Sequence, residues 1–387
     1  MNPRRDRILC RIALASLFGL SLQAATPVSV DSQDRAAVVQ LYQTVYKASQ
    51  DVAMGWNGNV TDCLPGDTAQ AYKDATVLRV NYFRAMAGLP GDVTLNEDLN
   101  RKSQEAALIM SAENELSHTP PSDWPCYTAD GADAASHCNL SLGSAGPEAV
   151  EDYVDDPGAA NTAVGHRRWV LYPPQQQMGT GSVPALLNAD GEILYDCANA
   201  LWVISPAVVR PQGPEYIAWP PPGYVPYPIL PRRSGRWSLS FPTANFSRAE
   251  VYVECSGTNL PVTLEALHNG YGDNTLVWRP KFSGGAQVGA TYSVTVSNII
   301  VSGQARLVSY AVSVIDPDEL RMTATRLPGS QLLLSWPALA QTSTLQETPS
   351  LVSGVDWKPI SAAPQLTNGV FYLTLPIDAP RRFYRLR

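Results

Sequence analysis

Apolar residues recur every three to four positions in the first part of the chain. They do so from Asp34 to about Val52, from Gln70 to Ala87 and from Asn96 to about Leu116. This spacing predicts three amphipathic helices, because it places one apolar stripe along each of them. A shorter helix is predicted to begin near Pro147, since proline favours the first helical turn.

Beyond Trp169 the apolar positions follow a different period. The segments 178–183, 185–195 and 200–204 alternate between apolar and small or polar residues, and Gly191 marks a turn inside the second one. A period of two is typical of strands, so we predict a small antiparallel meander. The helices and the meander together predict an α+β layered domain over residues 33–205.

A proline-rich segment follows this domain. The sequence has nine prolines between Pro206 and Pro231, and such a density favours extended polyproline conformation. We therefore predict a stiff linker over residues 206–233. Trp219, Tyr224 and Tyr227 lie among these prolines and are expected to pack the linker against neighbouring domains.

Two β-rich modules are predicted behind the linker. Alternating apolar residues separated by Gly, Asn and Asp turns predict a β-sandwich over residues 234–316. Asp316-Pro317-Asp318 marks a joint, and residues 318–387 repeat the pattern as a smaller β module. The glycine-rich segment 270–274 is predicted as a turn rather than a calcium site, because it lacks the ordered ligand spacing of a dedicated loop.

The N-terminus has the order of a secretory signal peptide. Basic residues from Arg4 to Arg7 precede an apolar run from Ile8 to Leu22, and Gln23-Ala24-Ala25 supplies small residues for cleavage. We predict that residues 1–25 are a signal peptide and that no membrane span remains after its cleavage. The mature protein is then expected to be secreted or to lie in the cell envelope.

Composition narrows the classes of partner. Hydrophobic residues make up 45% of the chain and charged residues 16%, which is typical of a folded protein. The formal net charge is −7, and no block of Lys and Arg occurs beyond the first dozen residues. The basic surface that nucleic acids require is therefore missing, so no nucleic-acid partner is expected.

Five cysteines remain beyond the predicted signal peptide: Cys63, Cys126, Cys138, Cys197 and Cys255. An exported protein is expected to use some of them in disulfides. The sequence leaves their pairing open. Cys126 with Cys138 is the favoured pair because these residues bracket a short Gly/Ala/Asp loop, which a disulfide would order.

The candidate chemistry centres on histidine. The chain contains His118, His137, His166 and His268, and the first and third of these lie at the edges of predicted helices. Two imidazoles with one or two carboxylates suit Zn²⁺. No short ligand motif such as H-E-x-x-H occurs, so the alternative of partly buried, hydrogen-bonded histidines stays open.

Several fragments resemble bacterial CAP domains (cysteine-rich secretory protein, antigen 5 and pathogenesis-related proteins). They occur in the family's order over roughly residues 75–205. The fragments are Arg79–Pro90, Leu95–Leu99, Glu105–Ala107, Leu116–His118, Asn139-Leu140, Ala149-Val150, Gly165–Trp169, Pro173 and Met178–Gly181. The resemblance implies an α-β-α layered domain.

The resemblance also implies a central cleft in which two histidines and two acidic residues can bind a divalent metal. His118 and His166 fall on the two histidine positions. The first acidic position precedes Asn139-Leu140, where this chain has Cys138. This thiol is either a zinc ligand as thiolate or a disulfide partner.

The second acidic position lies in the helix that begins near Pro147. Asp155 or Asp156 is the nearest match, and Glu151 lies one turn earlier. The set that the resemblance implies for the cleft is therefore His118, His166 and these three acids.

The C-terminal part resembles other exported bacterial proteins. Trp219–Tyr224 and Arg236-Trp237-Ser238 are similar to pieces of the β-sandwich that follows some CAP domains, and the ending Phe383–Arg387 is similar to terminal fibronectin-like modules. These resemblances imply immunoglobulin-like or fibronectin-like folds for the two all-β modules. Neither module carries a recognisable catalytic set.

Two functions are compatible with this sequence. The first is a non-enzymatic exported binding protein whose cleft holds a lipid-like or peptide ligand, or a cell-surface component. The alternative is a divalent-metal-dependent hydrolase, a peptidase, in which His118 and His166 bind Zn²⁺ and Asp155 or Asp156 activates water. The incomplete set of acids favours binding over catalysis.

Overall fold

A computed structural model describes residues 27–205, 209–319, 322–337, 343–351, 356–367 and 370–387. The signal peptide predicted over residues 1–25 lies outside these ranges. No helix within them is both long and apolar enough to cross a bilayer.

The α-helices of the described residues lie in the first half of the chain. They are α1 (Arg35–Leu41), α2 (Gln70–Met86), α3 (Glu97–Glu113), α4 (Ala129–His137), α5 (Gly146–Asp155) and α6 (Gly165–Val170). A π-helical turn, Tyr42–Tyr46, and a 3₁₀ turn, Lys47–Ser49, continue α1. The four predicted helices are therefore confirmed, and α4 and α6 are additional.

The side chain of Asn96 caps α3 by accepting hydrogen bonds from the backbone N–H groups of Asp98 and Leu99, at 3.0 and 3.2 Å. This interaction is the one that its position ahead of the apolar stripe predicts.

A four-stranded sheet lies in the middle of the first domain. Its strands are β1 (Thr94–Leu95), β2 (Cys138–Leu142), β3 (Gln177–Val183) and β6 (Ala198–Trp202), in the order β1-β3-β6-β2. The β1–β3 pair is parallel and the other two pairs are antiparallel. A hairpin of β4 (Leu186–Leu187) and β5 (Ile193–Tyr195) connects β3 to β6 and forms a separate two-stranded sheet. The predicted strands are therefore present, but β3 pairs directly with β6 and the middle segment does not join their sheet.

Two glycines bring α3 into close contact with one face of this sheet. A Cβ atom on Gly179 would lie 2.4 Å from the carbonyl carbon of Leu99, and one on Gly181 would lie 2.2 Å from the backbone nitrogen of Gln104. Both neighbours are backbone atoms that cannot rotate away. Any other residue at these positions would therefore push the helix off the strand.

Helices α2 and α5 cover the opposite face. Val80 and Phe83 of α2 and Val150 of α5 belong to one buried cluster with the sheet residues Met178 and Leu201. The sheet is thus enclosed between two helical layers, which confirms the α-β-α arrangement.

A β-sandwich follows, built from two sheets. The first sheet has the order β11-β10-β14-β15-β8 and the second has the order β12-β13-β9-β7. The strands are β7 (Ile217–Trp219), β8 (Gly223–Pro226), β9 (Trp237–Ser240), β10 (Glu250–Cys255), β11 (Thr258–Leu260), β12 (Val262–Leu264), β13 (Thr275–Pro280), β14 (Thr291–Val301) and β15 (Gln304–Ile315).

Part of the proline-rich segment belongs to this sandwich. β7 pairs with β9, and β8 runs parallel to β15 at the edge of the other sheet. Edge strands tolerate proline because their outward N–H groups have no ladder partner. The segment predicted as a linker over 206–233 therefore supplies one edge strand to each sheet.

Trp219 connects the two domains. Its side chain is almost fully buried, and its ring meets that of Phe83 on α2 edge-on, with 5.6 Å between centroids. Residues of α2, α5 and both sandwich sheets form one continuous apolar cluster. The first domain and the sandwich thus share a core rather than being separated by a spacer.

The last module has its own small core. Its sheets have the orders β16-β17-β21-β20 and β19-β18-β22. The strands are β16 (Thr323–Leu327), β17 (Gln331–Pro337), β18 (Leu345–Thr348), β19 (Lys358–Pro359), β20 (Gln365–Thr367), β21 (Val370–Pro376) and β22 (Phe383–Leu386). Leu334, Trp336, Leu345 and Leu373 form its buried cluster. Two β-rich modules behind an α+β domain are the predicted fold class.

The favoured disulfide, Cys126 with Cys138, is wrong. Cys126 is bonded to Cys63, 63 residues earlier in the chain, while Cys138, Cys197 and Cys255 are free thiols. Cys138 begins β2 and is buried against α3, where its sulfur lies 3.6 Å from the hydroxyl of Ser103. Cys138 is therefore a free thiol in the packing between β2 and α3.

Candidate functional site

His118 and His166 line the same cleft, which has a volume of about 350 Å³. His118 follows the end of α3, and His166 lies in the first turn of α6. Both polar and apolar side chains line the cleft. Its polar lining residues include Ser136, Asn139 and Asn161, and its apolar ones include Trp169, Ile204 and Tyr271. The structure thus brings together two histidines that are 48 positions apart in the sequence.

Asp156 lies directly behind His166 and is fully buried. One carboxylate oxygen is 2.9 Å from Nδ1 of His166, and the other accepts a hydrogen bond from the backbone N–H of His166 at 3.0 Å. A second N–H, that of Arg167, lies 3.4 Å from the same oxygen. Asp156 therefore caps α6 and fixes the orientation of the imidazole ring.

His118 is oriented by a backbone group. Its Nδ1 atom lies 2.7 Å from the carbonyl oxygen of Ala135 in α4. A carbonyl oxygen only accepts hydrogen bonds, so Nδ1 of His118 carries the proton. The same reasoning applies to His166, whose Nδ1 donates to the Asp156 carboxylate.

The two imidazoles therefore present the same atom for recognition. In a neutral imidazole with Nδ1 protonated, Nε2 carries the lone pair. Each ring has Nδ1 engaged with the protein behind it, which leaves Nε2 to contact a ligand. The pair can accept two hydrogen bonds when both rings are neutral, and it becomes a pair of donors when they are protonated.

Arg167 supports the site from behind. Its guanidinium donates to the carbonyl oxygens of Val154 and Asp155 at 2.6 and 3.0 Å and to the hydroxyl of Ser238 in β9 at 3.0 Å. Burial lowers the pKa of Arg167 to about 10, and the nearby charge of Asp156 opposes this shift. The side chain thus ties the end of α5 to both α6 and the sandwich.

Asp155 and Glu151 lie elsewhere. The carboxylate of Asp155 accepts hydrogen bonds from the backbone N–H groups of Arg233 and Ser234, at 3.1 and 3.0 Å. Glu151 accepts one from the hydroxyl of Tyr46 at 2.5 Å and pairs with Arg79 at 3.2 Å. The structure therefore does not bring these two acids to the cleft, and of the three predicted acids only Asp156 contacts a cleft histidine.

Comparison with known proteins identifies the first domain. A sequence model of the cysteine-rich secretory protein family, CAP, matches residues 77–185. The chain contains a CAP domain. The match covers the segment that carries both cleft histidines, Asp156 and Cys138.

Two further comparisons give no information about activity. A search of curated protein sequences found no significant match. Among solved structures, a type I pullulanase from Bacillus subtilis str. 168, complexed with maltose, matches with 12% identity and a TM-score of 0.18. That match covers 46% of this chain and 23% of the pullulanase chain. A similarity of this size carries no argument about fold or function.

Cys138, where the resemblance to CAP domains implies an acid, lines the cleft. The residue is buried, and burial raises the pKa of its thiol to about 12, although the hydrogen bond with Ser103 opposes the shift. The thiol is therefore protonated at neutral pH, whereas a metal ligand must be the thiolate.

The donor set of the CAP cleft does not fit a catalytic zinc site. Such a site has three protein ligands and one open position. Within the described ranges, no group of three or more His, Cys, Asp and Glu side chains is placed to hold a metal ion. The cleft offers two Nε2 atoms, while Asp156 is engaged behind His166 and Cys138 is a neutral thiol.

One wall of the CAP cleft comes from the sandwich. Gly270 and Tyr271 lie in the segment between β12 and β13, about 100 positions after α6, and both line the cleft. The sequence predicts a turn at these residues and does not indicate that they line a cleft. Trp169 lies in the string that resembles the family, but its place in the wall was not predicted either.

Proposed function

We propose that this protein is an exported, non-enzymatic binding protein whose CAP cleft holds a short peptide segment. The observation that supports the proposal most is the pair of imidazoles, each with Nδ1 engaged by the protein and Nε2 left for a ligand. Peptide N–H groups are suitable donors for two such lone pairs.

The lining of the cleft favours a peptide over a lipid-like ligand. Polar side chains such as Ser136 and Asn139 lie beside the aromatic rings of Trp169 and Tyr271. An acyl chain has no hydrogen-bond donor for the two Nε2 lone pairs of His118 and His166, and covering a polar group without giving it a partner costs free energy. The volume of about 350 Å³ is at the lower end of the range for ligand pockets, roughly 300–1,000 Å³.

Export is supported by two independent features. The Cys63–Cys126 disulfide is typical of proteins in oxidising compartments. The sequence at residues 1–25 has the order of a signal peptide. We propose a location outside the cell or in its envelope.

A hydrolase is the less supported candidate. The hydrogen bond between Asp156 and His166 resembles the way in which proteins orient metal-binding imidazoles. Two imidazoles are one ligand short of a catalytic zinc site, and this deficit is why we propose binding.

The experiment is a selection of random heptapeptides, displayed on phage, against the immobilised full-length protein. Calorimetry then measures the affinity of the enriched peptides for wild type and for the double variant His118→Ala/His166→Ala. Loss of two hydrogen bonds should weaken binding about tenfold or more.

Gln304→Ala/Arg306→Ala is the matched control, because both side chains are exposed in β15 and lie outside the cleft lining. Its affinity should equal that of wild type. The proposal fails when no peptide is enriched, or when the enriched peptides bind the double variant as tightly as wild type.

A further inference from the structure

The segment between β12 and β13, residues 265–274, reaches over the CAP cleft. We call it the wall loop. The guanidinium of Arg168, in α6, donates to two of its backbone carbonyls, those of His268 at 2.9 Å and Asp273 at 2.8 Å. Arg168 is buried, and burial lowers its pKa to about 10. The helix that carries His166 is thus bonded to the loop from another domain.

A second arginine fixes the far end of the wall loop. Both terminal nitrogens of Arg210 bond to the carboxylate oxygens of Asp273, at 2.8 and 2.7 Å. Two-point pairs of this kind restrict orientation as well as distance. Gly272 has a φ of +66°, and a Cβ atom there would lie 2.8 Å from the ring of Tyr172. The loop therefore has a defined position over the CAP domain.

This position places the ring of Tyr271 against the first turn of α6. A Cβ atom on Gly165 would lie 2.8 Å from the ring of Tyr271, so the ring occupies the space that a larger residue would take. The guanidinium carbon of Arg168 lies 5.3 Å from the centroid of the same ring. Tyr271 is nevertheless 39% exposed, and it lines the cleft.

We propose that Tyr271, supplied by the sandwich, is a specificity-determining residue of the CAP cleft. Its ring and that of Trp169 form a subsite that takes an aromatic or aliphatic side chain of the bound peptide. This inference rests on the proposed function and adds a preference that the two histidines do not provide. Aromatic walls recognise such side chains through edge and face contacts.

The test uses the full-length protein with Tyr271→Ala, Tyr271→Phe and a matched control, Tyr252→Ala. Tyr252 lies in β10 of the same sandwich and is 54% exposed, but it does not line the cleft. The first measurement needs no peptide. Carbethoxylation of each histidine by diethylpyrocarbonate is followed by mass spectrometry, and His166 should react faster in Tyr271→Ala than in wild type, Tyr271→Phe or the control.

The second measurement repeats the heptapeptide selection on each variant. The peptide selected on wild type should bind Tyr271→Ala about two- to tenfold more weakly and Tyr271→Phe equally well. Selection on Tyr271→Ala should also lose the aromatic or aliphatic preference at one peptide position.

The two proposals fail in different ways. Absence of any peptide that needs His118 and His166 removes the proposed function. If such peptides exist but Tyr271→Ala selects the same sequences with the same affinity, the role of Tyr271 is overturned alone. If His166 is carbethoxylated at the same rate in Tyr271→Ala as in wild type, the ring of Tyr271 does not restrict access to His166. That result contradicts the role of Tyr271 as a wall of the cleft, whether or not a peptide is found.

Discussion

Asp156 carries two structural tasks with one side chain, because its two oxygens serve separate donors. One oxygen accepts from the imidazole of His166, and the other accepts from backbone N–H groups of α6. An amide has only one acceptor oxygen, so Asp156→Asn either leaves one of these donors without a partner or forces His166 into the Nε2–H tautomer, in which Nδ1 accepts from the amide N–H. We expect a loss of about 1–3 kcal/mol in the free energy of unfolding.

Denaturant unfolding followed by tryptophan fluorescence measures this loss. Asp190→Asn is the control, since Asp190 is exposed in the turn between β4 and β5. An equal effect of the two substitutions would contradict the role assigned to Asp156.

Cys138 is expected to be an unreactive thiol in the folded protein. Burial raises its pKa to about 12, whereas an unfolded thiol titrates near 8.5. Iodoacetamide at pH 8 should therefore modify Cys138 only after denaturation, while the partly exposed Cys255 reacts in the native protein. Mass spectrometry of the alkylated peptides checks this, and rapid native alkylation of Cys138 would refute it.

The same shift predicts the direction of a pH effect. Above about pH 8.5 the unfolded state loses the thiol proton while the folded state keeps it. The unfolded state then binds fewer protons, so the contribution of Cys138 to stability falls as the pH rises.

At the scale of elements, a helix could be predicted from the sequence only where it is long enough to repeat its apolar stripe several times. Helices α2 and α3 have 17 residues each, enough for several repeats of the apolar stripe, and both were predicted. Helices α4 and α6 have nine and six residues, too few for a clear period. The C-terminal strands could be predicted because their apolar positions alternate over several residues.

The packing of α3 on β3 depends on two glycines, and Gly181→Ala tests it. A methyl group there would lie 2.2 Å from the backbone nitrogen of Gln104, so we expect a loss of roughly 1–3 kcal/mol from overpacking. Gly213→Ala is the control, because no atom lies within 4 Å of a Cβ placed there. Thermal unfolding of both variants should show a lowered midpoint for Gly181→Ala alone, and equal midpoints would contradict the close approach.

At the scale of the whole molecule, the site depends on an arrangement that no local pattern predicts. The resemblance to CAP domains indicated His118 and His166 as cleft residues, and the structure places both there. The choice among the three acids and the disulfide partner of Cys126 depended on which way side chains point after folding. Tyr271 lines the cleft because the sandwich packs against the CAP domain. This contact joins residues about 100 positions apart, so no local sequence pattern predicts it.

The shared core predicts how the molecule unfolds. Trp219 is buried between α2 and the sandwich, whereas Trp336 is buried in the separate core of the last module. Trp219→Ala should destabilise the CAP domain and the sandwich together. The expected loss in their free energy of unfolding is about 3–5 kcal/mol, as for other truncations of large core side chains. Trp336→Ala should affect only the transition of the last module.

Differential scanning calorimetry distinguishes these outcomes. Separate melting of the CAP domain and the sandwich in wild type, or a shift of only one of them in Trp219→Ala, would contradict the shared core.

In the proposed function, the CAP cleft presents two Nε2 lone pairs to a peptide ligand. Long-range ¹H–¹⁵N correlation spectra of the full-length protein at pH 8 report which nitrogen of each neutral imidazole carries the proton. We predict Nδ1–H tautomers for His118 and His166 and a shift of both Nε2 resonances when a selected heptapeptide is added. Protonated Nε2 in both rings, or peptide binding that leaves both resonances unchanged, would contradict it.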